Sequence, residues 1–321
     1  MLARVCLRIA QSVLVWLGFS AIIFFIMHMV PGDPIASLVS DLSDPEQIQA
    51  VREHLGLDKP VVVQYLIFLG NALQGDLGTS YIYHLDVKAL VFGKLGLSLF
   101  LLTWSIVLAI LIAVPLGMLA AIKRETTVDQ VIRGVILIGN TIPNYWLGTL
   151  LILVLVLGFR LFPISPPEHA TPLELLWGLS LPAFVTSLAL LPNITRVLRA
   201  SLIDTIGMDW VLLARSKGLT ERVILLRHVF RPSILQVVTL IGVQASFLIG
   251  GQIVVEAVFG LPGVGTLMIN AVRSRDYPIV VGATLIFVIL VMLINIATDI
   301  LVALMDPRAR IVPGESDDGL G

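Results

Sequence analysis

The residue types that carry out enzymatic chemistry are scarce in this chain and stand far apart. No G-x-x-x-x-G-K-[ST] loop for phosphates is present, and Gly263 and Gly265 are not followed by the third glycine of a dinucleotide-binding turn. The five histidines are isolated, and the single cysteine, Cys6, has no second thiol with which to share a metal ion or a disulfide. A membrane-embedded enzyme is disfavoured because the sequence offers no candidate nucleophile, metal cluster or carboxylate pair. We expect this chain to bind no cofactor and to catalyse no reaction.

Acidic residues within the apolar stretches are also few. Glu256 and Asp299 fall near the ends of such stretches, whereas ion-driven carriers usually place carboxylates near the membrane midplane. If the chain serves active transport, we therefore expect its energy to come from another subunit.

The composition predicts a protein that crosses a membrane several times. Of the 321 residues, 57% are hydrophobic and 13% are charged, and the mean hydropathy is +0.97, whereas soluble domains are about 25% charged. A net charge of −1 provides no basic field for nucleic acid. Windows free of Asp, Glu, Lys and Arg, each reaching the roughly 20 residues that a spanning helix needs, occur at 9–32, 95–122, 134–159, 175–195, 232–255 and 277–298. We predict an all-α polytopic membrane protein with six transmembrane helices.

The first window has two interpretations. Arg4 and Arg8 precede it, as in a signal peptide, but the apolar run is too long and no Ala-x-Ala site follows, which favours a retained helix. With six spans both termini lie on one side, and that side holds 14 of the 21 Lys and Arg residues. The positive-inside rule therefore places both termini in the cytoplasm. Without the long segment 31–94 the ratio is still 14 to 3.

The segment 31–94 is the largest part predicted to lie outside the bilayer, on the external side. Proline starts and glycine stops predict two short helices in it, at 45–55 and 59–73. The segment fits either a small cap packed on the membrane helices or a docking surface for an external soluble protein. The two interpretations do not exclude each other.

A second segment outside the bilayer is rich in arginine and has the pattern of two helices joined by a bend. A helix is predicted over 205–217, and Gly218 can take the left-handed conformation that ends it, with Leu219 supplying a hydrophobic contact. Thr220 is a candidate N-cap for a second helix, which ends where the fifth span begins. We call residues 205–231 the elbow.

The elbow has two interpretations of its own. Its arginines and apolar positions fit an amphipathic hairpin lying on anionic lipid. They fit equally well a docking element for a cytoplasmic protein. Composition does not separate the two.

Amide side chains supply most of the polarity within the predicted spans. They are Asn140, Asn144, Gln236, Gln244 and Gln252, and the three glutamines recur every eight residues, so they share roughly one face of a helix. Such amides usually form hydrogen bonds between packed helices. The alternative is an uncharged lining for a water-filled translocation path, and these five residues are the candidates for it.

Three groups of short motifs together form a specific pattern. The first group is HMVPGDP at 28–34, LGLDKP at 55–60 and GDLGTS at 75–80. The second group is ARSKGL at 214–219 with RH at 227–228, and the third is GGQIVVEAVF at 250–259, LPGVG at 261–265 and RDYP at 275–278. Over nearly its whole length the chain resembles the inner-membrane permease subunits of bacterial ABC importers, in the dipeptide, oligopeptide and nickel family.

This resemblance implies two sets of site residues. The elbow looks like the family's cytoplasmic "EAA" loop, which docks on the ATPase, although Leu212 and Leu213 stand where the general loop has Glu-Ala. Within a coupling loop at 200–231, it implies ATPase contacts at Asp209, Ala214, Arg215, Lys217, Gly218, Leu219, Glu221, Arg227 and His228. Contacts with an external binding protein are expected at Asp33, Asp76, Glu256, Arg275 and Asp276.

The resemblance also implies the fold and the domain organisation. The expected fold is that of a type I ABC importer permease, with a helical periplasmic insertion between the first two spans. Its parts would be a first transmembrane helix at 1–30, a periplasmic loop or cap at 31–94, a five-span core at 95–305 and a cytoplasmic tail at 306–321.

The implied complex contains two permeases, two ATPases and a solute-binding protein in the inner membrane of a bacterium. ATP and Mg would be bound by the ATPases. A similar but non-identical second permease is expected, and a homodimer is the alternative. The main rival is a secondary carrier or channel that works without ATPases. Dipeptides, longer peptides, a glutathione-like thiol and nickel all fit as solutes, because the binding protein makes most of the selection.

Overall fold

The computed structural model describes residues 2–29, 45–54, 56–167 and 170–305. Most of these residues are helical, and the only β-pairing among them is one isolated bridge between Thr79 and Asp86, in agreement with the predicted all-α class. The α-helices are α1 (Leu2–Met29), α2 (Pro45–His54), α3 (Val61–Leu73), α4 (Val87–Ile122), α5 (Thr127–Thr141), α6 (Asn144–Leu151), α7 (Pro172–Gly178), α8 (Ser180–Ser187), α9 (Leu191–Ile206), α10 (Asp209–Ser216), α11 (Glu221–Val223), α12 (Arg231–Val258), α13 (Val264–Ser274) and α14 (Tyr277–Met305). π-helical segments follow α6 and α11, at Ile152–Gly158 and Ile224–Phe230.

Three helices are long and apolar enough to cross a membrane. They are Val87–Ile122, Glu221–Val258 and Tyr277–Met305, and each contains one of the predicted apolar windows. Long apolar segments take this form because hydrocarbon offers the backbone no hydrogen-bond partners, so every peptide group must bond within the helix.

Two further segments are bent pairs of helices rather than single helices. The predicted uninterrupted helix over 134–159 is wrong at Ile142, which has an extended backbone with ψ of 124°. The following residue, Pro143, disfavours the helical conformation in the residue before it. Likewise, the window 175–195 is not one helix, because α8 and α9 meet at an angle of 53°.

The described residues contain three spans, or up to five if each bent pair is one span. The apolar part of α1, Trp16–Met29, is shorter than a full span. Two short helices, α2 and α3, form where the sequence predicts them, within the segment 31–94.

The chain divides into two compact units. The first contains residues within 1–100 and 252–292, and the second contains residues within 101–251 and 293–321. In the first unit, α1, the beginning of α4, α13 and the beginning of α14 surround a core of buried apolar side chains. The helices α4 and α14 approach closely at Gly282, where a Cβ atom would lie 2.8 Å from Cγ1 of Val87.

The second unit is held together by packing of α9. Its side chains Ile194, Leu198 and Leu202 are fully buried. A Cβ atom at Gly117 of α4 would lie 3.1 Å from Cδ2 of Leu198, so the glycine lets these two helices approach closely. At the other end of α9, Thr205 forms a buried hydrogen bond of 3.0 Å with the hydroxyl of Ser233.

Candidate functional site

The bend of the elbow is a helix end closed by two backbone hydrogen bonds. Gly218 has a φ of +78°, the left-handed conformation that the sequence predicts. Its amide donates to the carbonyl of Arg215 at 2.9 Å, and the amide of Leu219 donates to the carbonyl of Ala214 at 3.4 Å. This pair of bonds is the Schellman motif, which satisfies carbonyls that a helix end otherwise leaves without partners.

The first arm of the elbow is shorter than predicted. The helix expected over 205–217 is interrupted, because α9 ends at Ile206 and α10 begins only at Asp209. Between them, Met208 has an extended backbone with ψ of 146°. Gly207 is the C-cap of α9 and has low helical propensity, which explains the break.

The second arm is not a separate helix. Thr220 does occupy the N-cap position, with an extended ψ of 145°, but its side chain makes no capping hydrogen bond. From Glu221 the helix continues for 38 residues to Val258. Pro232 therefore lies inside a continuous helix instead of opening a new one. The wider π-helical segment just before Pro232 relieves the clash that a proline ring causes with the preceding turn.

The helix α10 packs on this second arm through two side chains. Val211 and Ala214 are buried against the π-helical segment, where Ile224 and Val229 are also buried. The outer face of α10 is unusually apolar, since Trp210, Leu212 and Leu213 are 50%, 65% and 56% exposed. A short helix with a buried inner side and an exposed apolar outer side is a suitable docking surface.

An ion pair joins the two arms across the bend. Arg215 donates from Nε and Nη2 to the two carboxylate oxygens of Glu221, at 2.7 and 3.1 Å. This hydrogen-bonded pairing raises the pKa of the Arg215 guanidinium. Both side chains are largely exposed, so the pair adds little to stability.

The other residues predicted for the coupling contact lie on the same short segment of the chain. Asp209 is exposed in the first turn of α10, and Lys217 is exposed at its C-cap. Arg227 is exposed and His228 is half-buried in the π-helical segment.

The amides predicted to line a path are in different surroundings. Gln236 is exposed, and Gln244 and Asn144 are half-buried. Gln252 is 4% exposed and donates to the carbonyl of Ser98 at 2.7 Å, a contact that fits the packing interpretation. The side chain of Asn140 lies outside the described residues.

Two of the acids predicted to contact a binding protein are buried. Glu256 is 1% exposed and accepts hydrogen bonds from Gln252 and from the amide of Gly265. Asp276 is fully buried and accepts from the hydroxyl of Ser80 at 2.5 Å and from the amide of Tyr81 at 3.2 Å. Within this chain, both carboxylates therefore serve the packing of the first unit.

The remaining members of that set are nearer the surface. Asp76 is exposed and accepts from the amide of Gly78 at 2.8 Å. Arg275 is half-buried, with a left-handed φ of 58° at the end of α13. Asp33 lies outside the described residues. Beside Asp276, burial and then the charge of that carboxylate raise the pKa of the Tyr81 phenol, which therefore remains neutral.

The sequence interpretation missed a buried ion pair in the second unit. Arg199 donates from Nε and Nη2 to both oxygens of Asp129, at 2.7 and 2.6 Å, and Asp129 is fully buried. The two residues are 70 positions apart, so no local pattern links them. The one available indication is that both lie in charged stretches between predicted spans, Asp129 before the window 134–159 and Arg199 after the window 175–195, which is too general to identify a pair.

Comparison with known proteins gives the family. Residues 113–311 match the family described as binding-protein-dependent transport system inner membrane component, and residues 1–93 match its N-terminal membrane component family. These two regions cover most of the chain.

Curated relatives match over nearly the full length. The oligopeptide transport system permease protein AppB of Bacillus subtilis is 36% identical over 96% of this chain and 99% of its own. A putative peptide permease protein of Brucella suis is 35% identical over the same shares. The dipeptide transport system permease protein DppB of Lactococcus lactis is 31% identical over 90% of this chain and 92% of its own. The chain therefore belongs to the family of binding-protein-dependent transport system inner-membrane components, the permease subunits of ABC importers.

Proposed function

We propose that this permease subunit pairs with a second, similar permease and forms with it a path for di- or oligopeptides. The names of the relatives support peptides as the solute class. In the proposed arrangement six spans cross the inner membrane, both termini are cytoplasmic, and residues 31–94 form an external insertion. An uncharged polar lining by the more accessible amides, Asn144, Gln236 and Gln244, would suit peptides of varied charge.

The proposed partners are two ATPase subunits and an external solute-binding protein. ATP and Mg bind to the ATPases, so this chain needs no nucleotide site. The binding protein docks on the external insertion and selects the solute.

The geometry of the elbow is the observation that supports coupling of this subunit to the ATPases. The helix α10 presents Trp210, Leu212 and Leu213 outward and is closed by the Gly218 turn. Immediately after the turn begins the long helix Glu221–Val258. When an ATPase moves α10, a rigid connection of this kind passes the displacement to a membrane helix, whereas a flexible loop would absorb it.

Reconstitution in liposomes tests the proposal. The chain is co-expressed with the proposed second permease and ATPases, and uptake of a labelled peptide pool is measured with the binding protein present. We expect uptake that needs ATP and every subunit. Peptide uptake by this chain alone under an ion gradient would contradict the proposal and favour a secondary carrier.

A further inference from the structure

A groove in the second unit combines apolar walls with arginine side chains. It lies between α5 and α9 and has a volume of about 270 Å³. Ile132, Ile136 and Leu137 line it from α5, and Pro192 lines it from α9. Walls of this kind suit a hydrocarbon chain, because burying apolar surface away from water is favourable.

Three arginines line the same groove. They are Arg133 from α5 and Arg196 and Arg199 from α9, and no acidic side chain is among the described residues that line it. The nearest carboxylate belongs to the buried Asp129, which binds Arg199 and lies 3.5 Å from Nε of Arg133. One negative charge therefore faces three positive charges.

Neighbouring acids do not remove this excess. The charged residues of an adjoining cavity are Arg124, Glu125, Asp129 and Asp204, in addition to Arg133 and Arg199, which it shares with the groove. Glu125 forms an ion pair with Arg124 at 3.1 Å, so these two charges cancel locally. The two cavities together are lined by four arginines and three carboxylates, which leaves one net positive charge. All three carboxylates line the adjoining cavity, so the charged side chains that line the apolar groove are arginines.

The arginines are placed to receive an anion. The ion pair with Asp129 fixes the position of the Arg199 guanidinium, and the Arg199 side chain is only 21% exposed. Arg133 is 57% exposed, and Arg196 is exposed with one hydrogen bond of 2.9 Å to Asn193. Guanidinium groups bind phosphate oxygens through paired hydrogen bonds, and they do so more readily than ammonium groups.

The surface beside the groove is apolar. On α5, Val131, Val135, Leu137 and Ile138 are between 62% and 68% exposed. In a membrane subunit, such a face suits contact with acyl chains.

We propose that this groove binds an anionic phospholipid. Arg133 and Arg196 hold its phosphate, while one acyl chain lies along Ile132, Ile136 and Leu137. The site is separate from the elbow and does not depend on which solute the transporter carries.

Lipid retention tests the proposal. The assembled transporter is placed in nanodiscs of equimolar phosphatidylglycerol and phosphatidylcholine, repurified in detergent, and its bound lipid is quantified by mass spectrometry. Arg133→Gln/Arg196→Gln leaves the Asp129–Arg199 ion pair intact, and we expect it to retain several-fold less phosphatidylglycerol than the unmodified transporter. The control Arg160→Gln/Arg273→Gln removes the same charge outside the groove and should retain the unmodified amount. Equal retention by the two double variants would overturn the proposal.

A cross-linking experiment that keeps all the arginines does not depend on how the arginine variants fold. A photoreactive benzophenone amino acid replaces Leu137, and the assembled transporter is irradiated in the same nanodiscs. Adducts with phosphatidylglycerol several-fold in excess of those with phosphatidylcholine support the proposal, whereas equal amounts of the two would indicate bulk lipid and overturn it. An adduct with the second permease or an ATPase, in place of lipid, would show that the groove is a protein interface and would overturn it.

Discussion

The carboxylate of Glu256 lies on the turn before α13, with 2.7 Å between its Oε2 atom and the amide nitrogen of Gly265. Its other oxygen accepts from Gln252 at 2.9 Å, and Gln252 also binds the carbonyl of Ser98. The hydroxyl of Ser98 accepts from the amide of Val264 at 3.0 Å. The first amides of α13 are therefore capped by side chains from α12 and α4, in place of the usual N-cap residue.

A methyl group added at this turn should destabilise the first unit. A Cβ atom at Gly263 would overlap the carboxylate of Glu256, and one at Gly265 would lie 2.6 Å from the Cα atom of Ile253. Overpacking of this kind costs about 1–3 kcal/mol, so Gly263→Ala and Gly265→Ala should lower the unfolding temperature of the purified protein in detergent. The control is Gly250→Ala, because a Cβ atom there meets nothing within 4 Å. If all three variants have the same unfolding temperature, the close contact at the turn does not contribute to stability.

Asp276→Asn should loosen the segment around Ser80. The carboxylate accepts three hydrogen bonds, from the Ser80 hydroxyl and from the amides of Tyr81 and Ile82. In asparagine an NH2 donor replaces one of the two acceptor oxygens, so at least one of these hydrogen bonds is lost. A buried polar group left without a partner costs about 1–3 kcal/mol. We expect faster proteolysis within 76–86, measured by limited digestion and mass spectrometry.

The matched control for that variant is Asp86→Asn. Asp86 is exposed and accepts one hydrogen bond, from the amide of Lys88 at 3.0 Å. Its digestion rate should equal that of the unmodified protein. Equal rates for both variants would mean that Asp276 does not hold the segment.

Asp129→Ala and Arg199→Ala should each destabilise the second unit strongly. Removing one partner of a buried ion pair costs about 3–5 kcal/mol, and we expect the lower end because Arg199 is 21% exposed and Arg133 also lies 3.5 Å from the Asp129 carboxylate. The double variant should be less destabilised than the sum of the single variants. This coupling is measured by thermal unfolding in a double-mutant cycle, with Asp204→Ala as an exposed control. Additive effects would show that the pair contributes nothing.

Gly218→Val should uncouple the elbow. A β-branched residue resists the left-handed conformation at φ of +78°, at a cost of about 1–2 kcal/mol, and the second arm would be misplaced. We expect loss of the assembled complex or of transport-coupled ATP hydrolysis, measured on the co-purified transporter. Gly93→Val is the control, because Gly93 lies outside the elbow, is not among the glycines with positive φ, and a Cβ atom there meets nothing within 4 Å. Normal uptake with Gly218→Val would contradict a role of the elbow in coupling.

Cysteine labelling should distinguish the amides. In a Cys6→Ser background, a cysteine introduced by Gln244→Cys should react with a polar thiol reagent to an extent that changes when ATP is trapped. One introduced by Gln252→Cys should be inert, because position 252 is 4% exposed and bonded to Ser98. Inertness at position 244 in every state would favour helix packing over a path at that residue.

Much of the local structure follows from residue type alone. The charge-free windows predict helices because the polar backbone, in apolar hydrocarbon, must form its hydrogen bonds within the segment. The turn at Gly218 was predictable because glycine pays no steric cost at positive φ. Even the two bent spans have a local cause, since prolines occur at both bends, at positions 143 and 192. A proline alone does not decide the outcome, however, because Pro232 lies inside an unbroken helix.

The partners of the buried polar groups could not be predicted in this way. Asp276 and Ser80 are separated by 196 positions, and Gln252 and Ser98 by 154. A periodic pattern describes one segment at a time, so it left Gln252 open between helix packing and a path, and the family resemblance placed Asp276 and Glu256 at an external contact. Packing brings distant segments together and leaves each buried carboxylate or amide to bond with whatever donors and acceptors arrive beside it, because an unsatisfied polar group is costly away from water. Which groups become partners is therefore decided by the tertiary structure, because only the packed helices bring these donors and acceptors together.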